Sequence, residues 1–125
     1  MESLSPNLFV HNITRSIDFY TDLGFSVIMT VPEKGDPDWA MLTCGKVTIM
    51  IQTYKSLGEE LPEIQRKPTG GSLLFYINIK QIRSFFARIE SKVTVVKGIN
   101  ITFYGATEFT IKDLDGYVLT FAEDE

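Results

Sequence analysis

Leu8-Phe9-Val10-His11-Asn12-Ile13-Thr14-Arg15-Ser16-Ile17-Asp18-Phe19-Tyr20-Thr21-Asp22-Leu23-Gly24-Phe25 is the stretch on which the fold turns. Its beginning completes a short apolar strand, Leu4 to Val10. Asn12 suits a helix N-cap, because its side-chain oxygen can accept from an orphan N–H of the first turn. Ile13, Ile17, Tyr20 and Leu23 then recur at helical spacing and make one apolar stripe. Gly24 stops the helix, and Phe25 to Val31, rich in β-branched residues, reads as a strand.

Downstream of this unit, Pro32 to Asp38 is a polar turn region. Two strands, Trp39 to Thr43 and Val47 to Thr53, flank Cys44-Gly45-Lys46, a short glycine-containing hairpin connection. Tyr54 to Thr69 carries glycine, two prolines and mixed charge, so it reads as a linker with room for one helical turn. The plan then repeats. Leu73 to Ile77 is a strand, and Ile79 to Glu90 a helix with Ile79, Ile82, Phe85, Phe86 and Ile89 on its stripe. Val93 to Val96 is a strand and Gly98 to Gly105 an irregular loop. Glu108 to Lys112 and Tyr117 to Ala122 close a hairpin around Asp113-Leu114-Asp115-Gly116, where Asp-Gly is a strong turn signal.

The halves also match residue by residue. Leu8, Phe9, Asn12, Ile13 and Phe19 recur as Leu74, Phe75, Asn78, Ile79 and Phe85 at a constant shift of 66, and a shift of 69 aligns the helix stripes equally well. The expected fold is α+β: two βαβββ repeats, about 1–56 and 70–125, forming a curved mixed-sheet cup in one domain over 1–125. Each sheet has one apolar face that must be covered, which places the helices outside and leaves the concave side for a ligand.

Composition narrows the function classes. A net charge of −4, with no basic run, disfavours nucleic acid as the partner. No apolar window is long enough to span a membrane, and nothing at the N-terminus looks like a secretory signal, so a cytoplasmic location is expected. Cys44 is the one cysteine, which excludes an internal disulfide and a multi-thiolate metal site. It is expected to be a small buried residue rather than a nucleophile. His11, at the strand-to-helix turn, is expected to be partly exposed, and the tail Glu123-Asp124-Glu125 to be solvated.

Val10-His11-Asn12-Ile13, Ser16-Ile17-Asp18-Phe19-Tyr20 and Leu23-Gly24-Phe25 resemble the opening of the glyoxalase/bleomycin-resistance/extradiol-dioxygenase (vicinal oxygen chelate) superfamily, with its "FY…LGF" helix end. Tyr104-Gly105, Glu108-Phe109 and Asp113 to Phe121 are similar to its "WG…EF…DPDG" closing hairpin, Leu114 standing where proline is usual. The resemblance covers essentially the whole chain and is specific for fold more than for chemistry. It implies that catalytic relatives carry His, Glu or Gln on the first and fourth strand of each half, converging on a divalent ion. Here those positions are Ser5, Gln52, Gly71 or Leu74 depending on register, and Thr120. A single amide oxygen among them is a poor basis for holding a divalent ion, so no metal and no other cofactor is expected. Glu108 fits the fold's own pattern and is expected to be structural.

Strand alternation from Ser5 and Thr120 points Asn7, Phe9, Trp39, Met41, Met50, Gln52, Tyr76 and Thr120 into the cup as candidate ligand-binding residues, with Leu74, Val118 and Ala122 beside them. This lining is apolar and aromatic with a few neutral polar groups. It suits a small organic ligand, aromatic or cationic, and Trp39 can stack on a planar one. The expected function is non-catalytic, metal-free binding similar to the drug-sequestering branch, in a homodimer as the resemblance implies. A divergent metal-dependent lyase, isomerase or dioxygenase is the alternative. An interaction module with a self-filled cup is the third reading.

Overall fold

In a computed structural model of the chain, residues 1–65 and 72–124 are described. The order of elements is β1 (Asn7–Val10), α1 (Ile13–Leu23), β2 (Ser26–Val31), β3 (Trp39–Cys44), β4 (Val47–Thr53), α2 (Tyr54–Leu57) and a 3-10 turn (Pro62–Gln65). There follow β5 (Leu74–Asn78), α3 (Ile82–Ile89), a 3-10 turn (Glu90–Lys92), β6 (Thr94–Ile101), β7 (Ala106–Lys112) and β8 (Val118–Asp124). The strands make two four-stranded sheets, β1-β4-β3-β2 and β5-β8-β7-β6, each with a parallel first pair and antiparallel others. The chain divides into two compact units, Met1–Arg66 and Lys67–Glu125. The expected α+β class and βαβββ repeat are therefore present; Gly71 and the Gly70-Gly71 turn lie outside the described residues. None of the described helices is long and apolar enough to cross a membrane.

The first unit forms where its local signals point. The side chain of Asn12 accepts from the Arg15 N–H at 3.1 Å and starts α1. Gly24 ends it with φ of +116°, a left-handed conformation that lacks the Cβ penalty only in glycine. The buried side of α1 is Ile13, Ser16, Phe19, Tyr20 and Leu23, with Ile17 half-buried. Beneath it lies one face of the sheet, with Leu8, Val10, Ala40, Leu42, Ile49 and Ile51 all buried. Cys44 departs from expectation: it is exposed, at the end of β3 where the hairpin turns.

The second unit departs more. Its helix begins at Ile82, three residues later than Ile79, since Gln81 adopts the left-handed conformation and breaks the run. Gln81 sits 69 positions after Asn12, so the caps follow the longer of the two repeat shifts. The carboxylate of Glu123 accepts from the N–H groups of Gln81 and Ile82, both at 3.0 Å. Glu123 is thus a helix cap from β8, not a solvated tail residue, and these two bonds hold its carboxyl below its ordinary range. The first half of the loop expected from Gly98 to Gly105 is strand: β6 runs to Ile101, its ladder with β7 interrupted by two irregularities, between Val95 and Lys97 and between Lys97 and Asn100. Phe85, Phe86, Phe109 and Phe121 pack against one another between α3 and the sheet, with ring centroids 4.8–5.9 Å apart. At the closing turn, Asp113 Oδ1 accepts from the N–H groups of Asp115 and Tyr117 while Gly116 takes φ of +91°, as the Asp-Gly signal required.

Candidate functional site

Strand register decides which side chains share a face. Asn7 pairs with Met50 and Met50 with Met41; Phe9 pairs with Gln52 and Gln52 with Trp39. These six candidates therefore make two adjacent rows on the face turned away from α1. The rows continue onto β2 through Met29 opposite Met41 and Val31 opposite Trp39. Five of the six are half-buried, and Phe9 is buried at 8% exposure, its ring 6.0 Å from that of Tyr54. His11 is exposed at the turn, its ring 4.9 Å from the same tyrosine.

Within this apolar field two amides are joined. Asn7 Nδ2 donates to Gln52 Oε1 at 3.0 Å, and Gln52 Nε2 donates to Ser56 Oγ at 3.3 Å. Ser56 Oγ in turn donates to the carbonyl of Thr53. The remaining oxygen of Asn7, Oδ1, is buried without a hydrogen-bond partner. A buried orphan acceptor costs about 1–3 kcal/mol.

On the second sheet, Tyr76 pairs with Thr120 and Thr120 with Thr110, which places both remaining candidates on the face turned away from α3. Tyr76 is 48% exposed, whereas Thr120 is buried and its hydroxyl shares a 2.8 Å bond with that of Thr110. Val118, Ala122 and Leu74 belong to the same face.

Sequence reading did not bring Glu108 and Tyr104 into the site. Both Tyr76 and Tyr104 donate their phenol hydrogens to Oε2 of Glu108. These bonds push both phenols upward from their ordinary value of 10.0. The polar alternation Glu108, Thr110, Lys112 against buried Thr107, Phe109, Ile111 carried a signal for Glu108. Tyr104 carried no such signal, because it lies in the turn between β6 and β7, where strand alternation sets no facing.

The positions where the family resemblance puts metal ligands do not fit a divalent ion. Ser5 is exposed ahead of β1, and Leu74, the choice matching the 69-residue helix shift, has no donor atom. Gln52 is held by Asn7 and Ser56, and Thr120 by Thr110. Among the described residues no three His, Cys, Asp or Glu side chains group as a metal site.

No curated protein matches the chain in sequence. Its fold is similar to that of TioX from Micromonospora sp. ML1, at 19% identity and a TM-score of 0.78 over 98% of this chain and 99% of that one. A protein of unknown function from Agrobacterium tumefaciens gives 22% identity and a TM-score of 0.79 over 100% and 95%. A bleomycin-binding protein solved with bleomycin gives 16% and 0.68, covering 100% of each chain. The family model of the glyoxalase/bleomycin resistance protein/dioxygenase superfamily matches residues 4–121, and the chain belongs to that superfamily.

Proposed function

We propose that this protein binds a small organic molecule, aromatic or cationic, on its open sheet faces, without a resident metal and without transforming the ligand. The observation that carries the reading is the pair of rows Asn7–Met50–Met41 and Phe9–Gln52–Trp39. They form a half-buried field of hydrocarbon, sulfur and indole around one unsatisfied carbonyl oxygen. Apolar area gives such a face affinity, and a few fixed polar atoms orient the ligand. Catalysis in the manner of metal-using relatives finds little footing, since the corresponding side chains are a serine, a leucine, and an amide and a hydroxyl already engaged. The likeness in fold to a bleomycin-binding protein supports the same direction.

The protein acts, in this reading, as a single domain in a homodimer. Support for a second copy comes from β2, an edge strand with Val27, Ile28, Met29 and Val31 between 41% and 55% exposed. Such an apolar strand edge is a template for pairing. Light scattering should give twice the chain mass; a monomer at all concentrations contradicts this part.

The ligand reading is tested by thermal unfolding and Trp39 fluorescence in EDTA, with metal-free bleomycin and a panel of planar aromatic and cationic compounds. Saturable quenching with a raised melting temperature, and the compound recovered intact, supports it. Stoichiometric Zn, Ni, Mn or Fe in protein purified without chelator, or turnover of a bound compound, overturns it.

A further inference from the structure

Three side chains from separate segments meet on the open face of the second sheet. Tyr76 comes from β5, Glu108 from β7, and Tyr104 from the turn joining β6 to β7. The two phenols donate to one carboxylate oxygen, Oε2, so the other oxygen, Oε1, takes no part in those bonds. The strand beneath is pinned as well: Asn100 Nδ2 donates to the carbonyls of Gly98 at 2.9 Å and Glu108 at 3.2 Å. Apolar surface borders the cluster. Phe103 is 99% exposed, its ring edge-on to Tyr104 at 5.0 Å, and Leu74, two residues before Tyr76 on the same face, is 52% exposed.

The two phenol donors fix the orientation of the Glu108 carboxylate, which brings a negative charge to this face. An incoming anion is repelled by it. A neutral hydroxyl gains only an ordinary hydrogen bond, whereas a cation gains a charge-assisted one and the attraction of neighbouring ring faces. Because the carboxylate is already fixed in one orientation, little side-chain freedom remains to be lost on binding. We propose that Glu108, Tyr76 and Tyr104 form a seat for the positively charged nitrogen of an organic amine or amidine, whose hydrocarbon part lies on Leu74 and Phe103. This rests on the reading that the open sheet faces bind small organic molecules, and it specifies the charge of what the second sheet takes.

The experiment titrates the full chain with phenethylammonium and with benzamidinium, using neutral 2-phenylethanol as the control. Ring signals of Tyr76 and Tyr104 and methyl signals of Met41 and Met50 are followed by NMR. The expected result is saturable movement of the two tyrosines by the cations, with the alcohol weaker by at least about tenfold. Glu108→Gln, which keeps an acceptor for both phenols, should lose about tenfold in amine affinity. Tyr104→Phe, at an exposed position, should weaken the amine without lowering the melting temperature. Equal binding of alcohol and amine, or amine binding indifferent to Glu108→Gln, overturns the inference. If neutral aromatic compounds move Met41 and Met50 while the cations leave the tyrosines unmoved, the inference falls and the broader reading stands. If neither face responds to any compound, both fall.

Discussion

Asn7 and Gln52 show how two neighbouring amides settle each other's hydrogen bonds. Gln52 stands where the family resemblance would put a metal ligand, and its oxygen is occupied by the Asn7 amide. The consequence at Asn7 is an acceptor with nothing to accept. Glu108 and Glu123, two carboxylates of the second unit, accept from different donors, phenol hydroxyls in one case and helix N–H groups in the other. Glu123 has its folded pKa depressed by the Ile82 and Gln81 N–H groups. Its stabilising contribution is therefore full above the ordinary carboxyl value of 4.5 and is lost as pH falls through the lower folded value. Urea unfolding measured from neutral to acidic pH should show this loss, and Glu123→Gln should flatten it. For Tyr76 the sign reverses: its folded pKa is raised, so its contribution is present below 10.0 and lost as pH climbs through the folded value. Tyrosinate absorbance should show Tyr76 and Tyr104 still mostly protonated at the ordinary phenol value of 10.0, and Glu108→Gln should release them to earlier ionisation.

At the scale of elements, helix α1 was legible and α3 only partly so. Everything that starts and stops α1 lies within it or beside it: Asn12, an amphipathic stripe and Gly24. Asn12→Ala should cost about 1 kcal/mol in chemical denaturation. The start of α3 is set instead by Glu123, some 40 residues away in the chain, together with the left-handed Gln81. No local window contains that information. β6 was cut short for a related reason, since Gly98 and a ladder broken in two places blur the alternation by which strands are recognised. The faces of β3, β4 and β7 were legible because period-two burial survives in each, whereas β1 and β8 carry runs of consecutive buried residues. Beneath α3, Phe109 is fully buried among Phe85, Phe86 and Phe121. Phe109→Ala should therefore cost about 3–5 kcal/mol, read as a lowered denaturation midpoint with unchanged slope.

At the scale of the molecule, each unit spends one sheet face on its helix and leaves the other open. This division explains why fold and function were unequally readable. The covered faces are specified by hydrocarbon at regular spacing, a pattern any sequence displays. The open faces are specified by which polar atoms find one another, and Tyr104 reaching Glu108 or Asn7 reaching Gln52 depends on register and rotamer. The candidate list for the first sheet came out on one face because alternation sets facing. The Tyr76–Glu108–Tyr104 cluster on the second sheet required the folded chain to be seen.

The central claim is that the rows holding Asn7, Phe9, Trp39, Met41, Met50 and Gln52 are a binding surface and not merely the back of a sheet. Methyl spectra of the methionines, recorded in EDTA during titration with a library of aromatic fragments, test it most directly. Hits should move Met41 and Met50 together with the Trp39 indole while leaving Met1 still. A library that leaves these three silent, or whose hits gather elsewhere on the protein, contradicts it.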